Sequence, residues 1–355
     1  MKNIDIHKLV RQHIPGMKPY SSARMEYEGK DGIFLDANEN ALGSVSGELH
    51  NRYPDPLQVQ IKEKLAGLEK LHTDQIFLGN GSDECIDILI RAFCEPGNDS
   101  VLTCPPVFGM YEHSAHSQHI KVEEVLLIPE TFQLNITGIK EVIQRTAKNL
   151  KIIFICSPNN PTGNLVRNED IEDILNIFEG IVLVDEAYQD FSDNTSWINR
   201  LNDFKNLVVI KTFSKAWGMA DARLGMLYAD PEVIHYMNTI KLPYNVNQHT
   251  QELALEILGN LPKKQAFVKE LNASRKYLEK ELDKIPWVLK RFPTDANFIL
   301  FKVPDADNLY KYLLENKLIL RNRNKAPLCA GCLRVSVGTQ EENDKFLEAL
   351  RSYKS

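Results

Sequence analysis

A lysine just past a buried strand is where chemistry first suggests itself. Residues 207–210, Leu-Val-Val-Ile, form a short apolar run rich in β-branched side chains and bounded by polar ones, which predicts a buried strand. Thr212, Phe213, Ser214 and Lys215 follow, so Lys215 stands beyond the strand's end. An amine there is partly desolvated, which lowers its pKa and frees its lone pair to form an imine with a carbonyl. The hydroxyls of Thr212 and Ser214 and the guanidinium of Arg223 can converge on one dianionic group beside that amine. A lysine imine next to a phosphate seat is what pyridoxal phosphate requires. A Ser-Lys pair by itself is more often a surface feature, so its meaning depends on what other segments bring to it.

Three other stretches offer partners. Residues 75–78 read as a strand, Gly79 to Glu84 as a tight turn, and Ile86, Leu89, Ile90 and Phe93 as the apolar face of a helix. Free amides at that helix start, around Gly81, Ser82 and Asp83, favour a phosphate. An ordinary helix start capped by Ser82 or Asp83 fits the same residues. Neither a P-loop nor a full dinucleotide fingerprint is present. After a strand ending at Cys156 comes Ser157-Pro158-Asn159-Asn160-Pro161-Thr162-Gly163, where an amide side chain before proline sits on a restrained backbone and can donate to a phenolate. The next strand ends in Asp185-Glu186-Ala187-Tyr188. A carboxylate there can pair with a ring nitrogen and hold it protonated, although Asp also commonly caps a strand and Asn-Pro commonly turns a chain. Phe108 and Tyr111, past the strand at 100–103, are either core packing or a face for stacking on a planar ring.

The elements that must position these groups form a run of βα units. Strands are predicted at 122–128, 151–156, 181–184, 207–210 and 224–229, and helices near 137–146 and 168–178. Continuous apolar strands spaced by helices predict an α/β fold whose mostly parallel sheet is covered on both faces. Ligands in such sheets sit beyond the carboxyl ends of the strands, where the polar motifs fall. Residues 1–35 read as an irregular arm broken by Pro15-Gly16 and Pro19, 36–245 as the large domain, and 246–355 as a smaller α+β domain. In the last of these, 252–286 is mostly helical, strands are predicted at 287–291, 297–302, 318–321 and 332–337, and helices near 306–317 and 340–353.

Bulk composition limits the function. A chain of 355 residues suits one large domain plus a smaller one, and a net charge of -6 without a basic block argues against nucleic acid. No apolar run approaches the roughly 20 residues that span a bilayer, and the N-terminus has no secretory pattern, so a cytoplasmic enzyme is expected. Six cysteines suit a reducing compartment. Cys329 and Cys332 have CxxC spacing without a second pair, and His113, His116 and His119 have no acidic ligand at a diagnostic spacing, so no metal site is expected.

Taken together, Asn160-Pro161-Thr162-Gly163, Asp185 with Tyr188, Ser214-Lys215 and Arg223 resemble the fold-type I pyridoxal phosphate-dependent aminotransferases in order and separation. Pro19-Tyr20, Asn38-Glu39-Asn40, Arg52-Tyr53-Pro54-Asp55, Gly79 to Glu84, Phe108 to Tyr111, Leu320 to Asn324 and Gly331 to Gly338 extend the resemblance to the histidinol-phosphate aminotransferase family. The resemblance makes Lys215 the cofactor-linked lysine and proton carrier, with Asp185 on the pyridine nitrogen. Asn160 and Tyr188 would hold the ring hydroxyl, and Tyr111 would stack on the ring. The amides of Gly81, Ser82 and Asp83, with Thr212, Ser214 and Arg223, would hold the cofactor phosphate. Tyr53 would reach the partner's phosphate in a homodimer, while Tyr20, Asn38, Arg321 and Arg334 would meet substrate. The implied substrates are histidinol phosphate and glutamate or 2-oxoglutarate. Aromatic amino acid aminotransferases and threonine-phosphate decarboxylases share this pattern closely; a regulator that keeps the fold without turnover is disfavoured by the intact Lys215 and Asp185. Phe108, where relatives often have tyrosine, and Asp221 are modest departures.

Overall fold

The structure is a computed structural model that describes residues 4–19, 32–48 and 50–353. Seven strands form the large sheet: β1 (Ile76–Asn80), β2 (Ser100–Thr103), β3 (Lys121–Glu124), β4 (Leu150–Cys156), β5 (Ile181–Asp185), β6 (Leu207–Thr212) and β7 (Leu224–Ala229). Their spatial order is β1-β7-β6-β5-β4-β2-β3. Strands β2 to β6 run parallel, and β7 lies antiparallel to both β1 and β6. The carboxyl ends of β1, β4, β5 and β6 therefore share one edge with the amino end of β7: Asn80 pairs with Leu224, Thr212 with Gly225, and Cys156 with Asp185.

Alternation along the strands builds two cores. Ile153, Ile155, Val182, Val184, Leu207 and Val209 pack on one face with helices Val59–Glu69, Ile136–Arg145, Asn168–Ile177 and Gln248–Leu258. Ile152, Phe154, Ile181, Leu183, Val208 and Ile210 pack on the other with helices Gly81–Phe93, Met110–Ser117 and Pro231–Ile240. Both faces are dry, which is why these strands read as unbroken apolar runs. A second sheet of antiparallel strands, β10 (Arg321–Asn322), β11 (Cys332–Ser336), β9 (Phe298–Lys302) and β8 (Lys290–Arg291) in spatial order, packs with helices Leu261–Leu282, Ala306–Glu315 and Gln340–Ser352 around Leu278, Phe301, Leu309, Leu333 and Leu347. Among the described residues no helix is long and apolar enough to cross a membrane.

Four predicted elements change, one of them the strand expected at 318–321, which forms only as Arg321–Asn322. The strand expected at 122–128 stops at Glu124, because its neighbour β2 runs out at Cys104-Pro105-Pro106; Val125 and Leu127 then bond singly to the Thr103 and Pro105 carbonyls. The strand expected at 287–291 keeps only Lys290–Arg291. The first part of the arm is more ordered than its prolines imply: short turns at Ile6–Lys8 and Ile14–Gly16 bury Ile4, Ile6, Val10 and Ile14 in the second core. Arg11 fixes this segment through its amide on the Ala92 carbonyl and its guanidinium on Glu95.

Candidate active site

Nine of the nominated side chains line one open cleft of about 620 Å³ at the shared strand edge. Each strand end delivers its residue for a local reason. Strand β5 finishes on Asp185, which is buried; its Oδ1 accepts from the Ala187 amide at 2.9 Å and its Oδ2 from the Tyr111 hydroxyl at 2.6 Å. Burial pushes this carboxyl above its ordinary pKa, and the Tyr111 bond, the Ala187 amide and the nearby Lys215 charge oppose that rise. A buried carboxylate so placed favours a cation facing it from the cleft.

Past β6, the Thr212 hydroxyl accepts from the Ser214 amide at 3.0 Å and turns the chain so that Lys215 faces Tyr188, its Nζ 5.5 Å from the ring centre. Among the described residues no carboxylate lies within ion-pair distance of Lys215. Burial and then the charge of Arg334 hold its amine below the ordinary lysine range, with Asp185 opposing. Such an amine is the nucleophile that an imine needs.

The anion seat lies on the far side of β7. Helix Gly81–Phe93 begins after Asn80 without a side-chain cap, so the alternative of a start capped by Ser82 or Asp83 falls away. Its amino end is held by the Gly81 amide, which donates to the Arg223 carbonyl at 2.7 Å. Gly81 has φ +79°, and a Cβ there would meet Arg223 Nη2 at 2.5 Å; a Cβ at Gly225 would meet the Ser82 nitrogen at 2.3 Å. Only glycine lets β7 and Arg223 come this close to the helix start. Arg223 itself donates to Asp83 Oδ2 at 3.2 Å and to the Ala220 carbonyl at 3.1 Å. Asp83 thus adds an ionic partner for Arg223 to the backbone amide expected of it. Helix amides, two hydroxyls and a half-exposed guanidinium make a donor set suited to a phosphate dianion.

Asn160 and Tyr188 close the cleft opposite. Asn160 Nδ2 donates to the Tyr188 hydroxyl at 3.3 Å, and its Oδ1 accepts from Arg334. Burial holds the Tyr188 hydroxyl above its usual range. Arg334 reaches in from β11 with its guanidinium 4.9 Å from the Phe298 ring centre.

The placement of Tyr111 is a correction. It was expected to stack on a cofactor ring, but it is fully buried behind Asp185 and stacks on Phe154 with centres 4.7 Å apart. Helix Met110–Ser117 starts one residue earlier, so Tyr111 is drawn under the sheet while Phe108, in the preceding turn, lines the cleft. Asn38 is exposed and Tyr53 stacks on Tyr244 at 4.5 Å; neither lines this cleft. Arg321 lies on β10 opposite Arg334. Tyr20 and Arg24 fall outside the described residues. Phe108 was offered with Tyr111 as a stacking face; the residue that motif reasoning passed over is Arg323. Two positions after Arg321 on an extended strand it must share that residue's face, which was the available signal.

These residues fit pyridoxal phosphate: an amine without an acid partner, a buried carboxylate, an aromatic wall and an uncapped helix start beside an arginine. The comparisons agree. The family model for aminotransferase class I and II matches residues 25–350. A histidinol-phosphate aminotransferase of Cytophaga hutchinsonii is 48% identical over 348 residues, covering 98% of this chain and 99% of that protein. The crystal structure of histidinol-phosphate aminotransferase from Clostridium acetobutylicum aligns with TM-score 0.77 at 24% identity, over 84% of this chain and 90% of that one. That of Sinorhizobium meliloti, in complex with pyridoxal-5'-phosphate, aligns with TM-score 0.77 at 19% identity, over 85% and 83%. The chain shares their fold.

Proposed function

Because the chain belongs to the class I and II aminotransferase family, we propose that it transfers an amino group reversibly between L-histidinol phosphate and 2-oxoglutarate, giving imidazole acetol phosphate and glutamate in histidine biosynthesis. It is a pyridoxal phosphate-dependent enzyme. The observation that carries the assignment is one continuous site, in which the cleft of Lys215 and Asp185 passes through Asn160 to Arg334 on the small sheet. The name shared by relatives at 44–48% identity supports the substrate.

Bound pyridoxal phosphate supplies the electron sink for breaking the bond between the reacting carbon and its hydrogen. Lys215 carries that proton, because its depressed pKa keeps a share of the amine neutral. Asp185 holds the ring nitrogen protonated, Asn160 and Tyr188 orient the ring hydroxyl, and Phe108 takes the stacking role expected of Tyr111. The amides of Ser82 and Asp83, with Thr212, Ser214 and Arg223, would hold the cofactor phosphate; the Gly81 amide, expected to join them, is taken by the Arg223 carbonyl instead. Arg334, with Arg321, Asn38 and Tyr20, binds the anionic end of either substrate, since an arginine fork pairs with carboxylate and phosphate alike.

A homodimer belongs to this reading. Ile33, Leu35, Leu42 and Val45 stand almost wholly exposed along a stretch without helix or strand, and an apolar row of this kind suits a second copy of the chain. Tyr53, outside its own cleft, would complete the partner's phosphate seat. The site domain is taken as 36–245 and the arginine domain as 246–355 after an arm at 1–35, although helix Gln248–Leu258 packs on the large sheet. A cytoplasmic location accords with six buried free cysteines.

The test is glutamate formation from 2-oxoglutarate with histidinol phosphate, unphosphorylated histidinol or phenylalanine as donor, with carbon dioxide followed in parallel using threonine phosphate. Histidinol phosphate should be the preferred donor. Preference for phenylalanine, or release of carbon dioxide, would reassign the enzyme to one of its fold neighbours.

A further inference from the structure

The small sheet gathers more positive charge near the cleft than a dicarboxylate substrate requires. Arg321 on β10 lies directly opposite Arg334 on β11, and the ladder continues with the Arg323 amide donating to the Cys332 carbonyl at 3.0 Å. Side chains alternate along a strand, so Arg321 and Arg323 share the face on which Arg334 lies. The intervening positions point away: Asn322 and Asn324 both bond the Asp307 carboxylate, at 2.7 and 2.9 Å. The Asp307 carboxylate is thus engaged from the other side of the strand.

The arginine face itself is poor in acceptors. Arg334 has the Asn160 carbonyl oxygen, yet its Nε, like that of Arg323, is buried without a partner among the described residues. Arg323 lines a second cavity that adjoins the cofactor cleft, with Phe108 as the common wall. Glu112 and Glu124 stand on the same cavity wall; Glu112 pairs with His116 at 3.7 Å, and neither is within ion-pair distance of Arg323. Burial, then the charges of Arg334 and Arg321, depress the Arg323 guanidinium to about 10. Like charges gathered in a partly dry place need an anion, and buried polar atoms without partners mark where it should sit.

A carboxylate has two oxygens and one charge, which two arginine forks satisfy. A phosphate ester has three free oxygens and close to two charges, and takes a third fork. We propose that Arg323 is the third guanidinium of the seat for the substrate's phosphate, engaged by the phosphorylated donor and dispensable for glutamate. The assignment rests on the histidinol phosphate reading for its substrate but on the arginine face alone for its ligand chemistry.

The experiment uses holoenzyme of the natural chain and of Arg323→Gln and Arg323→Lys. Arg323→Gln should lower kcat/KM for histidinol phosphate roughly tenfold or more, mainly through KM, while the half-reaction with glutamate changes by less than about threefold. Arg323→Lys should recover part of the loss, since it restores the charge without the fork. In parallel, inorganic phosphate is titrated into each holoenzyme and followed by the cofactor's absorption; its affinity should fall about tenfold in Arg323→Gln. An equal loss with both substrates would make Arg323 a shared or structural residue, and an unchanged or undetectable phosphate response would remove the third fork. If phosphate binding depends on Arg323 while histidinol phosphate is not turned over, the substrate reading falls and the anion seat stands.

Discussion

The cofactor edge of the large sheet and the arginine face of the small one solve opposite problems. At the first, Lys215 and the helix start apart, charges and hydrogen bonds are already matched: Asp185 has Tyr111 and the Ala187 amide, Asn160 has Tyr188, and Arg223 has Asp83. At the second, three like charges stand on or just past short strands, and the Nε atoms of Arg323 and Arg334 are buried and unsatisfied. A fixed arrangement suits a cofactor that stays through every turnover. A face that lacks anions suits ligands that must enter and leave, and its self-repulsion is relieved only when one is bound.

Substitutions on the two sides should therefore fail differently. Asp185→Asn removes the charge proposed to hold the ring nitrogen protonated, and kcat should fall by roughly 100- to 1,000-fold with both amino donors. Steady-state assays with each donor check this; an effect confined to one donor would erase the distinction between the two regions. Arg334→Gln should instead act on binding, costing about 1.5–3 kcal/mol, or one to two powers of ten in KM, for each substrate. It also removes a cation that depresses the Lys215 pKa. The neutral amine fraction grows as pH rises through that pKa. The pH midpoint for covalent capture of cofactor by apoprotein should therefore lie below the ordinary lysine value of about 10.4 and move upward in Arg334→Gln. A downward or absent shift would uncouple the regions. The smallest effect is expected from Tyr111→Phe, which deletes one bond to a buried carboxylate. About 1.5 kcal/mol, near tenfold in kcat, should be lost with cofactor stacking unchanged. Loss of the bound cofactor's spectral signature would return Tyr111 to the ring.

How far these regions can be read from the sequence differs too. Lys215, Asp185 and Asn160 sit at the ends of β-branched runs, and a run of that kind declares both its burial and the edge at which it stops. Strand direction is not declared: β7 is as apolar as its parallel neighbours, yet runs against them. Phe108 and Tyr111 illustrate a second limit. Three residues apart at a helix start, either could face the cleft, and only the first turn of Met110–Ser117 decides that Phe108 does. The docked arm carries its signal in Ile6, Val10 and Ile14, four residues apart, but Pro15-Gly16 masks it as irregular. Arg323 was hidden by its neighbour, because a motif match to Arg321 draws attention from the residue beside it.

The central claim is that the amine of Lys215, and no other, is joined to the cofactor above Asp185. Reducing the holoenzyme with borohydride and mapping the labelled peptide by mass spectrometry tests it directly. The cofactor should be found on Lys215, in the peptide that spans Ser214 to Ala216; an active preparation labelled on another lysine, or on none, would contradict the account.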